Sequence, residues 1–106
     1  MPRRSEKSIV ESIKRAFNGL DRCFVRKRRP YIKGDPDLTG AYHGIRIEIE
    51  VKTPRGVISP LQKKRIRDYK NLGVLAGVAW SLKEAVELIW PILLKKDKKT
   101  LEKHLE

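Results

Sequence analysis

The sequence predicts a single α/β domain whose elements follow the order αβββαβα. Residues 45–52 alternate strictly between apolar and charged side chains, which is typical of a strand. A helical pattern over residues 59–72 separates that strand from an apolar run at residues 74–80, so the two strands should pair in parallel across a crossover helix. A chain of 106 residues, 40% of them hydrophobic, fits one such domain.

The first helix should begin at Ser5, whose hydroxyl can cap it, and end at Asn18-Gly19 or at Asp21. Apolar residues recur at spacings of three and four from Ile9 to Leu20, which gives the helix one core-facing side. Glu6 lies three residues before Ile9 and falls on that same side. We therefore expect the Glu6 carboxylate to point toward the body of the protein.

The next segment contains two strand signals separated by a turn. Cys23 to Val25 favour a strand that continues into a basic stretch at residues 26–30, and the sequence Gly34-Asp35-Pro36-Asp37 is typical of a turn. Residues 38–41 then lead through a loop at His43-Gly44 into the alternating strand. This pattern predicts a hairpin.

In the second half of the chain, Ser59-Pro60-Leu61-Gln62 matches a helix-capping box, and Gly73 follows the expected end of that helix. Ser81 opens a last helix that Pro91 stops or bends. Residues 95–106 are highly charged, which favours a peripheral helix or a frayed end. We assign residues 1–94 to the domain and residues 95–106 to a charged C-terminal tail.

Basic residues outnumber acidic ones by 25 to 13, which gives a net charge of +12 and a pI near 10.1. This favours a polyanionic partner, first of all nucleic acid, although strongly charged surfaces also occur in proteins that bind no ligand. The net charge is +8 over residues 1–33, −1 over residues 34–58 and +5 over residues 59–106. Carboxylates between two basic regions would repel phosphate unless they hold a cation, so this layout indicates a metal site.

Other residue types exclude several classes of protein. Cys23 is the lone cysteine, which rules out an intramolecular disulfide and fits a reducing compartment. His43 and His104 are too few for a zinc centre. No apolar run approaches 18 residues and no signal-peptide pattern opens the chain. We expect an intracellular protein of the cytoplasm or nucleoid, or of a virus-infected host cell, with no membrane partner and no small-molecule cofactor.

Asp37, Glu50 and Lys52 form the candidate catalytic constellation. A carboxylate beside a turn can converge across a hairpin with Glu-x-Lys on a strand, where residues two apart share a face about 7 Å apart. Asp37 and Glu50 could hold Mg²⁺, which favours one or two carboxylates together with water and substrate phosphate. The alternative is a half-exposed strand with alternating charges for solubility and an Asp that only shapes a turn.

Three stretches taken together carry a family resemblance: residues 34–40 (GDPDLTG), 47–56 (IEIEVKTPRG) and 59–62 (SPLQ). They resemble the VRR-NUC family, the virus-type replication and repair nucleases of the PD-(D/E)XK superfamily. The resemblance spans about residues 6–85 and implies a restriction-endonuclease-like fold, a mixed central sheet flanked by helices. It implies a metal-dependent nuclease that uses Mg²⁺, with Mn²⁺ as a substitute.

The resemblance also assigns roles to single residues. It implies that the catalytic residues are Asp37, Glu50, Lys52, Gln62 and Glu6, and that the metal ligands are Asp37, Glu50 and the backbone carbonyl of Val51. Gln62 has a second explanation in its capping position, and Asp35 departs from the family pattern, so we leave Asp35 outside the metal site. The side chains expected to contact DNA are Arg26, Lys27, Arg28, Arg29 and Arg55, although the first four could form a merely solvated strand edge.

Stand-alone members of this family resemble homodimeric resolvases of four-way DNA junctions. We therefore expect a Mg²⁺-dependent, structure-selective DNA endonuclease that acts on branched DNA as a homodimer, because two symmetric nicks need two sites. The apolar residues available for an interface are Ile89, Trp90, Ile92, Leu93 and Leu94, for which core packing is the alternative. A flap or general nuclease in repair or defence, and a catalytically silent DNA-binding module, are the competing readings.

Overall fold

The computed structural model describes residues 5–29 and 32–106, and Pro30 of the basic stretch lies outside them. In chain order the elements are α1 (Glu6–Asn18), β1 (Cys23–Lys27), β2 (Leu38–Tyr42), β3 (Ile45–Val51), α2 (Pro60–Asn71), β4 (Leu75–Ala79), α3 (Leu82–Ile89), a short 3₁₀ helix (Trp90–Ile92) and α4 (Lys95–His104). The predicted order αβββαβα is confirmed, with the 3₁₀ helix and α4 added after it. No helix in the described ranges is both long and apolar enough to cross a membrane.

The sheet contains four strands in the order β1-β2-β3-β4. β1 pairs with β2 and β2 with β3 in antiparallel fashion, whereas β3 and β4 are parallel. The connection between β3 and β4 is α2, so the predicted crossover is confirmed. A two-residue turn joins β2 to β3, and both of its residues have positive φ angles, 48° at His43 and 82° at Gly44.

Serine hydroxyls cap three of the helices at the positions that the sequence predicts. Ser5 Oγ accepts the amide of Ser8 at 3.0 Å, Ser59 Oγ that of Gln62 at 3.1 Å, and Ser81 Oγ that of Glu84 at 3.2 Å. Each hydroxyl thereby satisfies one of the amides that a helix N-terminus leaves unpaired. These caps fix where α1, α2 and α3 begin.

The apolar face of the sheet packs beneath α1, α3 and α4. Ile47, Ile49 and Val51 lie on this face and are completely buried. They form one hydrophobic cluster with the apolar side of α1, including Ile13 and Phe17. Most of the hydrophobic core therefore lies on one side of the sheet.

The opposite face of the sheet is polar but lies beneath α2. Glu48 is fully buried and Glu50 is 2% exposed, although both alternate with the core residues of β3. The alternative in which these glutamates keep a half-exposed strand soluble is therefore wrong. A buried carboxylate needs a cation, a proton or several hydrogen-bond donors, so each must have partners on this face.

The C-terminal segment belongs to the domain. Residues 95–104 form α4, in which Leu101 is completely buried and Asp97 is 4% exposed. Tyr42 on β2 donates a hydrogen bond from its hydroxyl to Asp97 and accepts one from the amide of Leu94 at 2.9 Å. The core thus extends beyond residue 94, where the domain was expected to end. The high charge of residues 95–106 gave no indication that Leu101 and Asp97 are buried.

The apolar residues considered for an interface mostly serve the core. Ile89 is completely buried and Leu93 is 7% exposed, while Trp90 and Ile92 are half-buried against the core cluster. Leu94 alone among the five is exposed, at 46%. Core packing therefore accounts for four of these residues, since α3 and the turn after it cover the apolar face of the sheet.

Candidate active site

The strand register places Asp37 and Glu50 opposite each other. In the antiparallel pairing of β2 with β3, Leu38 pairs with Ile49, so one further step along the ladder puts Asp37 across from Glu50. Residues directly opposite on one face have Cβ atoms about 5 Å apart. The two carboxylates therefore lie on the same face of the sheet, at the end where β2 begins and β3 ends.

Asp37 is held by the backbone of the neighbouring strand. Its Oδ2 accepts a hydrogen bond from the amide of Val51 at 3.0 Å, while the next amide, that of Lys52, bonds to the Ala79 carbonyl on β4 at 3.0 Å. Because the N–H and C=O of one strand residue point to the same side, the Val51 carbonyl also faces Asp37. The predicted backbone ligand thus lies on the side of the strand that the metal site requires.

Glu50 is hydrogen-bonded and ion-paired through Oε2. Oε2 is 3.6 Å from the Lys52 ammonium and accepts a hydrogen bond from the Gln62 amide at 3.3 Å. Oε1 is buried and has no hydrogen-bond donor among the described residues. Burial, followed by the charge of Asp37 and a hydrogen bond with its carboxyl group, raises the pKa of Glu50 to about 8, against the lowering effect of Lys52.

Gln62 satisfies both explanations that the sequence leaves open. Its side-chain oxygen accepts the amide of Ser59 at 2.9 Å and completes the capping box at the start of α2. Its side-chain nitrogen donates to Glu50. One residue therefore anchors the helix N-terminus and orients the Glu50 carboxylate.

Glu6 reaches the site from α1. Its side chain is largely exposed, so the expectation that it points into the protein holds only in part, but it borders the cavity that contains Asp37 and Glu50. Burial and the charge of Asp37 raise the pKa of Glu6, whereas Lys52 and Lys27 lower it. Glu6 thus belongs to the electrostatic surroundings of the site.

A single cavity of about 410 Å³ collects all five predicted catalytic side chains. Its described lining residues are Glu6, Lys27, Arg28, Asp37, Glu50, Lys52 and Gln62. Two carboxylates of opposing strands thus share an opening with an ammonium and an amide. This arrangement suits a reaction at a phosphate group, because the cation can offset the charge that develops there.

The donor set fits a hard divalent cation. Two carboxylates this close repel each other, and the unpaired Oε1 of Glu50 needs a cation or a proton. No group of three or more His, Cys, Asp or Glu side chains that could hold a metal occurs in residues 5–29 and 32–106. Magnesium requires no more than one or two carboxylates, since carbonyl, water and substrate oxygens complete its octahedron.

A solved structure described as a VRR_NUC domain superposes on this fold with a TM-score of 0.68 and 26% sequence identity. The match covers 80% of this chain and 94% of the other chain. This match supports the predicted resemblance to the VRR-NUC family. Neither a protein-family model nor a curated protein matches the sequence. The restriction-endonuclease-like α/β fold expected from the resemblance is confirmed.

The position of Arg28 differs from the expected one. Arg28, considered as a DNA contact, directs its guanidinium inward, where it donates to the buried Glu48 and to the Pro36 carbonyl, the latter at 3.0 Å. It also lies 3.9 Å from Asp35. With these partners Arg28 is bound within the fold, so its position supports a structural role in place of a phosphate contact.

The sequence reading missed the ion network to which Arg28 belongs. Glu48 also accepts a hydrogen bond from the Thr39 hydroxyl and pairs with Arg46 at 3.2 Å. Asp35 is 7% exposed and pairs with Arg65 of α2 at 3.4 Å. The sequence signal for this network was Glu48 itself. It lies on the same face of the strand as Glu50, so a helix that covers Glu50 also covers Glu48.

The remaining candidates for DNA contact are exposed. Arg26, Lys27 and Arg29 project from β1 and the residue positions just after it. Arg55 lies in the turn after β3, which is closed by a 2.8 Å hydrogen bond from the Gly56 amide to the Thr53 carbonyl. Their contact with DNA stays a prediction.

Proposed function

We propose that this chain is a Mg²⁺-dependent endonuclease that hydrolyses phosphodiester bonds in branched DNA, with four-way junctions as its preferred substrate and a homodimer as its active form. The observation that carries the proposal is the convergence of Asp37, Glu50 and Lys52 in one cavity on the polar face of the sheet. The match to a VRR_NUC domain structure supports nuclease chemistry, and the net charge of +12 supports a nucleic-acid substrate.

In the reaction, water attacks phosphorus and one phosphate ester bond breaks, with no covalent enzyme intermediate. Asp37, Glu50 and the Val51 carbonyl would hold Mg²⁺, which supplies Lewis-acid activation of phosphate and water when bound. The Val51 amide fixes the Asp37 carboxylate, and Gln62 holds Oε2 of Glu50. The site is thus preorganised before substrate arrives.

Lys52 supplies the positive charge nearest to the two carboxylates. Its ammonium lies 3.6 Å from Glu50 and its side chain is 16% exposed, so it is held in place by its surroundings. From this position it can orient the attacking water and stabilise the charge on the pentavalent phosphorus. Glu6 borders the same cavity, where its carboxylate adds a further acceptor for water.

Cleavage of defined DNA substrates tests the activity. Linear duplex, flap and four-way junction DNA are incubated with the protein in Mg²⁺ or in EDTA, and the products are resolved on denaturing gels. We expect Mg²⁺-dependent nicks in the junction and slower cleavage of the other substrates. Cleavage of linear duplex or flaps at the same rate would favour a general or flap nuclease, whereas binding without cleavage would favour a silent DNA-binding module.

Two conservative substitutions test the assignment of the site. We expect Asp37→Asn and Glu50→Gln to lower the cleavage rate at least about a hundredfold, because each removes a ligand charge at the reacting phosphate. Asp68→Asn is the matched control, since Asp68 is a partly exposed carboxylate of α2 that pairs with Lys64. DNA affinity should be unchanged or higher in the first two variants. Wild-type cleavage by Asp37→Asn would refute the mechanism.

The dimer follows from the substrate. One chain carries one such cavity, and paired nicks across a four-way junction require two cavities related by a two-fold axis. Light scattering on the free protein and on the junction complex measures this directly. Two chains per junction, each of 12.3 kDa, are the expected result. A single chain that cuts both strands would contradict the paired-site arrangement.

A further inference from the structure

A second cleft runs between α1 and the edge strand β1 and joins the catalytic cavity. Its volume is about 630 Å³, and it shares Glu6, Lys27 and Asp37 with that cavity. Asn18 fixes the two walls, since its side chain donates to the Val25 carbonyl at 3.0 Å and accepts the Val25 amide at 2.7 Å. We call this cleft, lined by the residues named below, the α1–β1 groove.

Basic side chains line the α1–β1 groove along both walls. They are Lys7 and Lys14 of α1 and Arg26, Lys27 and Arg29 on the β1 side. Glu11 is the one acidic lining residue away from the catalytic end, and it pairs with Lys14 at 3.6 Å. Within residues 5–29 and 32–106 the other four basic side chains have no ion pair. Their charges are thus available to an anion.

The length of the groove matches a short stretch of nucleic-acid backbone. Lys7 and Lys14 are two helical turns apart on one face of α1, which corresponds to about 10 Å along the helix. Each nucleotide of a strand carries one phosphate, so two ammonium groups this far apart can contact different phosphates of one short stretch of backbone. None of the described lining residues is aromatic, and the groove therefore offers no surface for base stacking.

We propose that the α1–β1 groove binds the sugar-phosphate backbone of the DNA strand that continues from the scissile phosphate, with Lys7 and Lys14 as phosphate contacts in addition to the basic residues of β1. This inference rests on the proposed function, because the groove begins at the catalytic cavity. Contacts to phosphates alone carry no sequence information. The groove accordingly sets the path of the strand without selecting its bases.

The test compares Lys7→Ala/Lys14→Ala with Lys99→Ala/Lys103→Ala, a control that removes the same charge from exposed positions of α4 outside the groove. Affinity for junction DNA is measured by fluorescence anisotropy in Ca²⁺ between 0.1 and 1 M salt. Each lost phosphate contact lowers the slope of log affinity against log salt by about 0.9 on duplex DNA. We expect the groove variant to lose about 1.8 in slope.

If the groove variant and the wild type bind equally at 1 M salt, this change in slope makes the variant bind up to about 60-fold more weakly than the wild type at 0.1 M salt. The loss should be equal for DNA of different sequence. The control variant should keep most of the wild-type slope. Circular dichroism verifies that all variants are folded.

Three results would refute the proposal that the α1–β1 groove binds the DNA backbone. They are equal slopes for the groove variant and its control, a loss that depends on DNA sequence, and a changed oligomeric state with unchanged DNA affinity. In each case a wild-type protein that cuts DNA in Mg²⁺ leaves the proposed function intact. Absence of both binding and cleavage in the wild type would instead refute the proposed function, and the groove with it.

Discussion

Replacement of Glu48 by alanine should destabilise the fold more than replacement of any exposed charged residue. The side chain is fully buried beneath α2 and contacts Arg28 just after β1, Thr39 of β2 and Arg46 of its own strand. Glu48→Ala leaves the guanidinium of Arg28, which is 15% exposed, without its main counter-charge. A buried charge without a partner is costly because water cannot replace the lost carboxylate.

The expected loss follows from the burial of each partner. Removal of one member of a buried ion pair costs about 3–5 kcal/mol. The Arg46 side chain is 51% exposed, so its own pairing with Glu48 contributes at most about 1 kcal/mol. We therefore expect Glu48→Ala to lower the free energy of unfolding by about 3–5 kcal/mol and Arg46→Ala by about 1 kcal/mol or less. The larger loss is a substantial part of the roughly 5–15 kcal/mol typical of a domain.

Urea unfolding followed by circular dichroism measures both variants, with Glu48→Gln as a third. Glutamine keeps the volume and one accepting oxygen but removes the charge, so it should fall between wild type and alanine. The double variant Arg28→Met/Glu48→Leu should be less destabilised than Glu48→Ala, since it leaves no unpaired charge. Equal losses for Glu48→Ala and Arg46→Ala would refute the assignment of a buried, stabilising network.

Three further predictions concern other parts of the fold. Because the pKa of Glu50 is raised to about 8 in the folded protein, the metal-free protein should lose a few kcal/mol of stability as the pH rises from about 4.5 to 8, and Glu50→Gln should abolish this loss in pH-dependent urea titrations. Leu101→Ala should cost about 2–5 kcal/mol in urea unfolding, whereas the 40% exposed Leu105 should tolerate alanine, and equal effects would contradict the docking of α4. Gln62→Ala and Ser59→Ala both weaken the cap of α2, but only the former removes the contact with Glu50, so cleavage assays should show the larger loss for Gln62→Ala.

Patterns that act within about one turn or one strand could be predicted from the sequence. The alternation from Ile45 to Val51 and the capping serines Ser59 and Ser81 depend on residues close in the chain, and the structure contains those elements at the expected places. The pairing of Asp37 with Glu50 also followed, because period-two alternation and a hairpin fix which residues share a face.

Contacts between distant elements could not be predicted in the same way. The burial of Glu48 depends on α2 lying across the polar face, and the inward direction of Arg28 depends on that buried carboxylate. Likewise, the contact between Tyr42 and Asp97 joins residues 55 positions apart. Local sequence describes such residues only as charged or polar. Their surroundings come from tertiary packing, which overrides the preference of charged side chains for solvent.

The two-residue turn between β2 and β3 has a consequence for engineering of the chain. Tyr42 pairs with Ile45 across this turn, and the ladder runs from there to Leu38 and Ile49 without a bulge. Asp37 lies five residues before Tyr42, about 17 Å away along the strand. Insertion of a single residue at His43-Gly44 would shift β2 by one position and turn Asp37 to the other face of the sheet. The length of this turn therefore sets the strand register that places Asp37 opposite Glu50, although the turn lies at the far end of the hairpin.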